Sequence, residues 1–354
     1  MKKMKQLVVA VVLILFAVGI LFLPEATKGA VQDALKISVC SVLPSLFPFF
    51  VFSNLWIMLG YAQKMSALAA PVMERVFHLP GAAASALILG LIGGYPTGAQ
   101  TIAGIYKKKL VTKEEAEHML LFCNNSGPAF AVAVIGGQYF RNAVVGIAIY
   151  LVHVCSACLI GILFRRKSYR KTPLVSEQRN VPFLTALTES IRMAGQTAVQ
   201  VCVFITFFSV LTAMLQSVLP AALQTGDVFR ILMGALELVK GSSQVTAWSW
   251  PFSVCLAAFY LGWGGMCIHC QSLSILCDTD LTPGKYFMGK LLHGGLSFLM
   301  MGCLIHVLPV TRAVWSDGTL WRPFLCQSIC LVLTALILMG FLKKTSGNQT
   351  KERV

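Results

Sequence analysis

Long apolar runs with almost no charged residues are the feature that most constrains this chain. Segments of about 18 or more such residues are long enough to cross a bilayer as helices, and they comprise residues 6–23, 37–60, 142–164, 199–219, 286–308 and 324–342. Lipid offers the main chain no hydrogen-bond partners, so each segment must pair its own N–H and C=O groups. The runs do not alternate as barrel strands would. The sequence therefore predicts an all-α polytopic membrane protein.

Composition agrees with this prediction. The chain is 56% hydrophobic and only 12% charged, whereas an average soluble domain carries about 25% charged residues. The net charge of +15 comes largely from short segments between or beyond the apolar runs, namely residues 2–5, 107–113, 165–179 and 343–353. Basic loops of this kind remain in the cytoplasm. No aromatic residues interleave a basic groove, so we expect no nucleic-acid partner.

These basic segments fix a topology of about eight transmembrane helices plus two re-entrant hairpins, with both termini in the cytoplasm. The first run is long for a signal peptide and other runs follow it, so we expect a retained helix rather than a cleaved one. The charge-balanced segment 25–36 is predicted to be an external loop. Residues 183–196 are amphipathic and are predicted to lie at the membrane interface.

Four apolar segments are interrupted by polar and glycine-rich stretches. Two interruptions would be hairpin tips, at residues 93–98 and 240–244, each between arms too short to span. Two others would break a helix, at residues 124–128 and at residues 262–265 together with 269–272. Interrupted helices expose unpaired main-chain groups, which persist in a membrane only around a cavity or ligand. The alternative is that the glycines merely allow close packing.

The interruptions occur in the same order in both halves of the chain. Residues 90–98 correspond to 234–242, and residues 121–130 correspond roughly to 259–268. An odd number of crossings separates the halves, so the second half would lie inverted. Inverted repeats with discontinuous helices are typical of secondary transporters, whose sites lie near the bilayer midplane.

The first half also resembles a known family. The motifs GGYPTGA (93–99), KLV (109–111), EEA (114–116) and FCNNSGPAF (122–130) are similar to those of the sporulation integral membrane protein family of the YlbJ and SpoVV type, which carries the nucleoside-recognition, or Gate, domain twice. This resemblance covers about residues 30–308 and is looser in the second half. It implies a fold like that of concentrative nucleoside transporters.

The resemblance also implies a domain division and a set of substrate-binding residues. The divisions are an N-terminal helix (1–29), a first Gate-like repeat (30–165), a basic linker (166–182), a second, inverted repeat (183–308), and a C-terminal helix with its tail (309–354). Position by position, the implied binding residues are Gly93, Gly94, Tyr95, Thr97, Gly98, Asn124, Asn125, Ser126, Lys240, Gly241, Ser242, Ser243, Gln244 and Gln271.

The function implied is transport of dipicolinic acid, a flat aromatic dianion, from the mother cell towards the forespore. A nucleoside or other metabolite carrier and a non-transporting component of a sporulation complex are the alternatives. No enzyme motif or P-loop is present, so we expect neither catalysis nor ATP hydrolysis. The expected location is the bacterial cell membrane, specifically the outer forespore membrane, and other sporulation membrane proteins are candidate partners.

Several polar residues within apolar segments leave two interpretations open. Glu237 and Lys240 either bind the ligand or pair with each other on one helix face. His153, His293 and His306 either pack as polar residues or sense protons. The pair Cys267 and Cys270 lacks a second ligand pair, so we expect no metal. No external loop carries paired cysteines, so we expect no disulfide framework. No cofactor is expected, and H⁺ and Na⁺ both stay open as coupling ions.

Overall fold

The computed structural model describes residues 2–165, 181–224 and 226–307. Every regular element within these residues is a helix, and no strand occurs among them. The predicted all-α class is confirmed. The sequence predictions for the basic linker, for the span at 324–342 and for the C-terminal tail fall largely or wholly outside the described residues, as does the His306 side chain.

The α-helices are numbered in chain order. They are α1 Lys2–Phe22, α2 Pro24–Ile37, α3 Leu43–Met58, α4 Tyr61–Val72, α5 Ala83–Gly93, α6 Thr97–Lys107, α7 Lys113–Leu120, α8 Ala143–Leu163, α9 Phe183–Val218, α10 Ala221–Gln224, α11 Asp227–Leu236, α12 Leu238–Gln244, α13 Trp250–Trp263, α14 Gly265–Leu276 and α15 Gly284–Val307. Three π-helical segments, Ser38–Val42, Met73–Phe77 and Ala129–Tyr139, and one short 3₁₀ turn, Val245–Ala247, complete the set.

Four helical stretches in the described part of the chain are long and apolar enough to cross a membrane. They are Ala143–Leu163, Phe183–Val218, Trp250–Leu276 and Gly284–Ile305. Helix α9 has 36 residues, so at 1.5 Å per residue it is about 54 Å long, well beyond a hydrocarbon core of about 30 Å. The predicted interfacial segment 183–196 is therefore the first part of the same helix.

Both interruptions predicted in the first half are present. Helices α5 and α6 have 11 residues each and pack on one another across a turn at residues 94–96. At about 16 Å apiece, each is about half the length needed to span. Helix α7 ends at Leu120, and residues 121–127 are non-helical before the chain resumes as the π-helix Ala129–Tyr139.

The second half is also interrupted twice, at positions that partly differ from the prediction. Helix α11 ends at Leu236 and α12 begins at Leu238, so the interruption lies at Glu237. The predicted tip at 240–244 is wrong because these residues form α12. Between α13 and α14 the break is at Gly264, where φ is +87°, as predicted for 262–265. Residues 269–272 lie within α14, so the second break predicted there is wrong.

One predicted loop is helical. Residues 25–36 lie in α2, which packs against α9. The balanced charges, from which the sequence predicted an external loop, are also suited to a helix. Pro24 is the first residue of this helix, Glu25 lies in its first turn and Lys36 in its last. Acids near a helix N-terminus and bases near its C-terminus favour the helix dipole.

Helix α9 forms a hydrophobic core with α2, α3 and α14. Phe50 from α3, Ala34 from α2 and Cys267 from α14 are each about 1% exposed and meet Ala198 and Ile205 of α9. Small residues of α9 let the neighbouring backbones approach closely, which is how helices pack in a membrane. This core holds the break before α14 next to the helices of the first half.

Candidate functional site

A cavity of about 190 Å³ lies where the interruptions of both halves converge. The first half supplies the turn after α5 and the start of the π-helix, and the second half supplies the break between α11 and α12 and one face of α14. Helices α3 and α9 complete the wall. Its lining residues include Phe49, Gly93, Gly94, Tyr95, Ser126, Ala129, Phe130, Tyr139, Glu237 and Gln271.

Glycines make the close approach of the first-half interruptions possible. A methyl group at Gly98 would lie 2.2 Å from the carbonyl oxygen of Cys123, and one at Gly90 would lie 1.9 Å from the same oxygen. Gly94 has φ of +78°, which side chains disfavour. Helices α5 and α6 can therefore sit directly on the main chain of the break at 121–127.

Glycines of the second half also allow close approach, but to other partners. A methyl group at Gly241 would lie 2.3 Å from the Cα of Gly234, and one at Gly234 would meet the ring of Tyr260 at 2.3 Å. The Tyr260 hydroxyl donates to the carbonyl oxygen of Ile231 at 3.2 Å. Glycines thus allow close packing in both halves, against the main chain of the break in the first and between the two arms in the second.

Asn124 joins three elements of the site. Its Oδ1 accepts a hydrogen bond from the Ala99 N–H at 3.2 Å, at the start of α6. Its Nδ2 donates to Ser272 Oγ of α14 at 2.8 Å. The side chain is fully buried, and its hydrogen bonds tie the first break to the second half of the chain. Asn124 holds the cavity in shape rather than lining it.

Tyr95 makes the corresponding link from the turn after α5. Its hydroxyl donates to the carbonyl oxygen of Leu261 at 3.1 Å, in the last turns of α13. Carbonyls at the end of an interrupted helix lack helical partners, so this bond satisfies one of them. The Tyr95 ring forms part of the cavity wall.

Glu237 begins α12 and reaches the cavity. Its carboxylate accepts hydrogen bonds from the N–H groups of Val239 at 3.0 Å and Lys240 at 2.6 Å. Glu237 therefore caps α12, which begins earlier in the chain than the sequence pattern predicted. The Lys240 ammonium donates to Gln216 Oε1 at 2.8 Å and Thr212 Oγ1 at 3.4 Å. The pairing of Glu237 with Lys240, one of the two interpretations that the sequence left open, therefore runs through the main chain of Lys240 and not through its ammonium.

A second, wider cavity of about 630 Å³ adjoins the first and shares Ile37, Tyr139, Glu237 and Val239 with it. We call it the vestibule. Its polar lining includes Glu25, Asp33, Gln216, Ser217, Gln224, Lys240 and Ser243. The boundary residues Tyr139 and Glu237 separate a polar approach from a mainly apolar inner cavity.

The implied binding residues divide into three groups. Gly93, Gly94, Tyr95, Ser126 and Gln271 line the inner cavity. Lys240 and Ser243 line the vestibule. The remaining ones line neither cavity, and they are Thr97, Gly98, Asn124, Asn125, Gly241, Ser242 and Gln244.

Sequence reasoning missed Lys290, which lies behind the cavity wall in α15. It is 0% exposed, and its ammonium lies 4.8 Å from the centroid of the Tyr95 ring. The sequence did contain an indication of its importance, because a lysine inside the apolar run 286–308 is a functional candidate by default. Tyr286 and His269, which bond to one another at 3.0 Å beside Asn124, were missed as well.

Comparison with known proteins agrees with this arrangement. Residues 39–144 match the Gate family, described as nucleoside recognition. The chain is 25% identical over 336 residues to the sporulation integral membrane protein YlbJ of Bacillus subtilis (strain 168), an alignment covering 83% of this chain and 81% of that protein. No solved structure matches the chain. The resemblance predicted from the motifs is confirmed: the first half carries a Gate match, and most of the chain is similar to a sporulation integral membrane protein.

Proposed function

We propose that this protein is a membrane carrier for a small solute with a flat ring, acting in spore formation. The observation that carries the proposal is the cavity of about 190 Å³ lined by three of the four helix interruptions and by one face of α14. Interrupted helices in lipid are costly unless their free main-chain groups face a cavity or ligand. Secondary transporters bind solutes at such paired interruptions. The similarity to a sporulation integral membrane protein supports the biological setting.

The cavity wall favours a planar ligand. Phe49, Tyr95, Phe130 and Tyr139 all line it, and aromatic rings stack on flat groups at little conformational cost. The wall is otherwise mainly apolar, with Ser126, Gln271 and Glu237 as its polar groups. A few polar groups in an apolar pocket orient a bound molecule and select it.

Dipicolinate is the first candidate solute because it combines a flat ring with two carboxylates. Lys290, directly behind Tyr95, supplies a positive charge close to the cavity. Nucleosides are the second candidate, and the nucleoside-recognition match over residues 39–144 favours them. The ribose hydroxyls of a nucleoside would suit Glu237 and Gln271, whereas carboxylates would be repelled by an ionised Glu237. Relative uptake of the two solutes therefore decides between them.

The test is uptake of labelled dipicolinate and labelled nucleosides into proteoliposomes, with a cavity-filling variant. Ala129→Leu adds bulk to the cavity wall, and Ala133→Leu makes the same change on an exposed position of the same π-helix. We expect Ala129→Leu to lower uptake by about tenfold or more, the effect of roughly 1.4 kcal/mol, and Ala133→Leu to leave it unchanged. Equal uptake by both variants, or none by the folded wild type, contradicts the proposal.

Spore content gives an independent readout. Cells lacking the gene are expected to form spores poor in dipicolinate while total synthesis stays normal. Normal spore dipicolinate together with nucleoside uptake in vesicles would reassign the substrate. Full complementation by Ala129→Leu without any uptake would support a non-transporting component of a sporulation complex instead.

A further inference from the structure

Lys290 is a buried lysine without an acidic partner among the described residues. Its side chain is 0% exposed, and no carboxylate in the described ranges lies within ion-pair distance of its ammonium. An isolated buried charge is costly unless hydrogen bonds and dipoles replace the lost water. The groups around it should therefore show what the charge does.

The ammonium meets the main chain of the first helix break. It donates to the carbonyl oxygen of Asn124 at 2.9 Å and contacts His293 Nδ1 at 3.1 Å. The Tyr95 ring covers it at 4.8 Å from the ring centroid, in cation–π geometry. Lys290 thus touches both interruptions of the first half, the turn after α5 through Tyr95 and the break after α7 through Asn124.

The neighbouring imidazoles fit as neutral rings. His293 Nε2 contacts the carbonyl oxygen of His153 at 2.9 Å, so it carries the proton there and leaves Nδ1 free to accept from Lys290. His153 Nε2 accepts from the Ser126 N–H at 3.1 Å. This pattern fits an ammonium at Lys290, which can donate both to the Asn124 carbonyl oxygen and to His293 Nδ1. The remaining titratable groups near it are Tyr286 and His269.

We infer that the Lys290 ammonium is a built-in cation at the first helix break, occupying the position that a bound Na⁺ would hold. This inference rests on the proposed carrier function. Transporters coordinate coupling cations through main-chain carbonyls freed by helix breaks, and the Asn124 carbonyl is such a group. Because the ammonium is tethered to α15, no cation has to be captured from solution. Solute binding and transport are therefore independent of Na⁺.

The experiment measures thermal unfolding of the detergent-solubilised protein with choline chloride, NaCl or methylammonium chloride. The wild type is expected to give the same midpoint in all three salts. Lys290→Ala vacates the ammonium position, so its midpoint should be lower in choline and rise saturably with methylammonium or Na⁺. Lys64→Ala is the control, because Lys64 lies over the exposed Tyr61 ring and offers no enclosed cation position.

Each outcome decides the inference separately from the proposed function. A wild type that needs Na⁺ for stability or uptake overturns it, as does a folded Lys290→Ala that responds to neither cation. Where Lys290→Ala fails to fold, Lys290→Arg keeps the charge and should remain indifferent to Na⁺, and a Na⁺ response there overturns the inference. Absence of any uptake contradicts the carrier function, while the unfolding data still test the role of Lys290.

Discussion

Gly90 and Gly98 set how closely the first hairpin approaches the break that carries Asn124. Both face the carbonyl oxygen of Cys123 across distances at which a methyl group would overlap it. Backbone cannot yield as a flexible side chain can, so a residue larger than glycine would push α5 and α6 away. The bond from the Ala99 N–H to Asn124 depends on the same approach.

Gly98→Ala is therefore expected to destabilise the protein and impair uptake. Its methyl group would lie 2.2 Å from the Cys123 oxygen and 2.6 Å from Asn124 Cα, and overpacking of this kind costs about 1–3 kcal/mol. Gly104→Ala is the matched control in α6, since its nearest neighbour would be Ile57 Cδ1 at 3.8 Å. Thermal unfolding should show a lower midpoint for Gly98→Ala alone, and equal midpoints would contradict the packing argument.

At this scale the sequence predicted residues whose type is required by the backbone and missed those whose role depends on distant partners. Gly94 was predictable because glycine marks tight turns, and Ser126 because it lies in a Gly-Pro-flanked break. Lys290 acquires its role only from Asn124, 166 residues away in the chain. No local pattern encodes that distance, and only the rule for charges in apolar runs could have singled it out.

At the scale of elements, a polar cluster ties the connection between α14 and α15 to α6 and α7. We call this cluster the latch. Tyr106 and Lys113 donate to Asp280 at 2.7 and 3.0 Å. Glu117 accepts from the Thr282 hydroxyl at 2.7 Å and from Lys285 at 3.1 Å. The latch therefore joins the first half to the second on the side where the basic loop 107–113 lies.

Glu117 gives the latch a predictable pH dependence. Burial by itself would raise the pKa of the Glu117 carboxyl, but hydrogen bonds from Thr282 and Lys285 outweigh it and hold this pKa below its usual value. A carboxyl group whose pKa is lowered by folding stabilises the fold fully at pH values above its pKa in the unfolded state, which is about 4.3. That stabilisation is lost as the pH falls through the pKa of the folded state.

Glu117→Gln should consequently lower the free energy of unfolding by about 1–2 kcal/mol at neutral pH. The loss is no larger because Lys285 is half exposed, so solvent weakens its interaction with Glu117. The difference in unfolding midpoint from wild type should shrink as the pH is lowered from about 5 towards 3. Glu114→Gln, on an exposed position of the same helix, is expected to show neither effect. A pH-independent difference for Glu117→Gln would contradict the assignment.

The position of a helix break was predictable from the sequence where a glycine causes the break. It was not predictable where a side-chain cap causes it. The break at Gly264 follows from a positive φ that glycine adopts readily. The break at Glu237 arises because its carboxylate caps α12, whereas Gly241 to Ser243 looked more turn-like in the sequence. Tertiary packing of Gly241 on Gly234 keeps that stretch helical despite its composition.

At the scale of the whole described chain, three polar features involve different sets of helices. The vestibule is lined by α2 and the end of α9, the inner cavity is lined by three of the four interruptions, and the latch joins α6 and α7 to the α14–α15 connection. The topology predicted from basic loops puts α2 and the end of α9 outside and the latch in the cytoplasm. In this conformation the wide cavity would face outwards, with the latch closed on the other side.

This orientation predicts which cysteines a charged, membrane-impermeant maleimide can reach. Cys277 is exposed at the end of α14, next to the latch, so it should react only after the cells are permeabilised. Ser217→Cys, made together with Cys277→Ser, places a thiol at an exposed position of the vestibule, and it should react in intact cells. Cys277→Ser alone measures the background labelling of all the other cysteines. Labelling of Cys277 in intact cells, with Ser217→Cys protected until permeabilisation, would mean that the chain is inserted the other way round and that the vestibule opens to the cytoplasm.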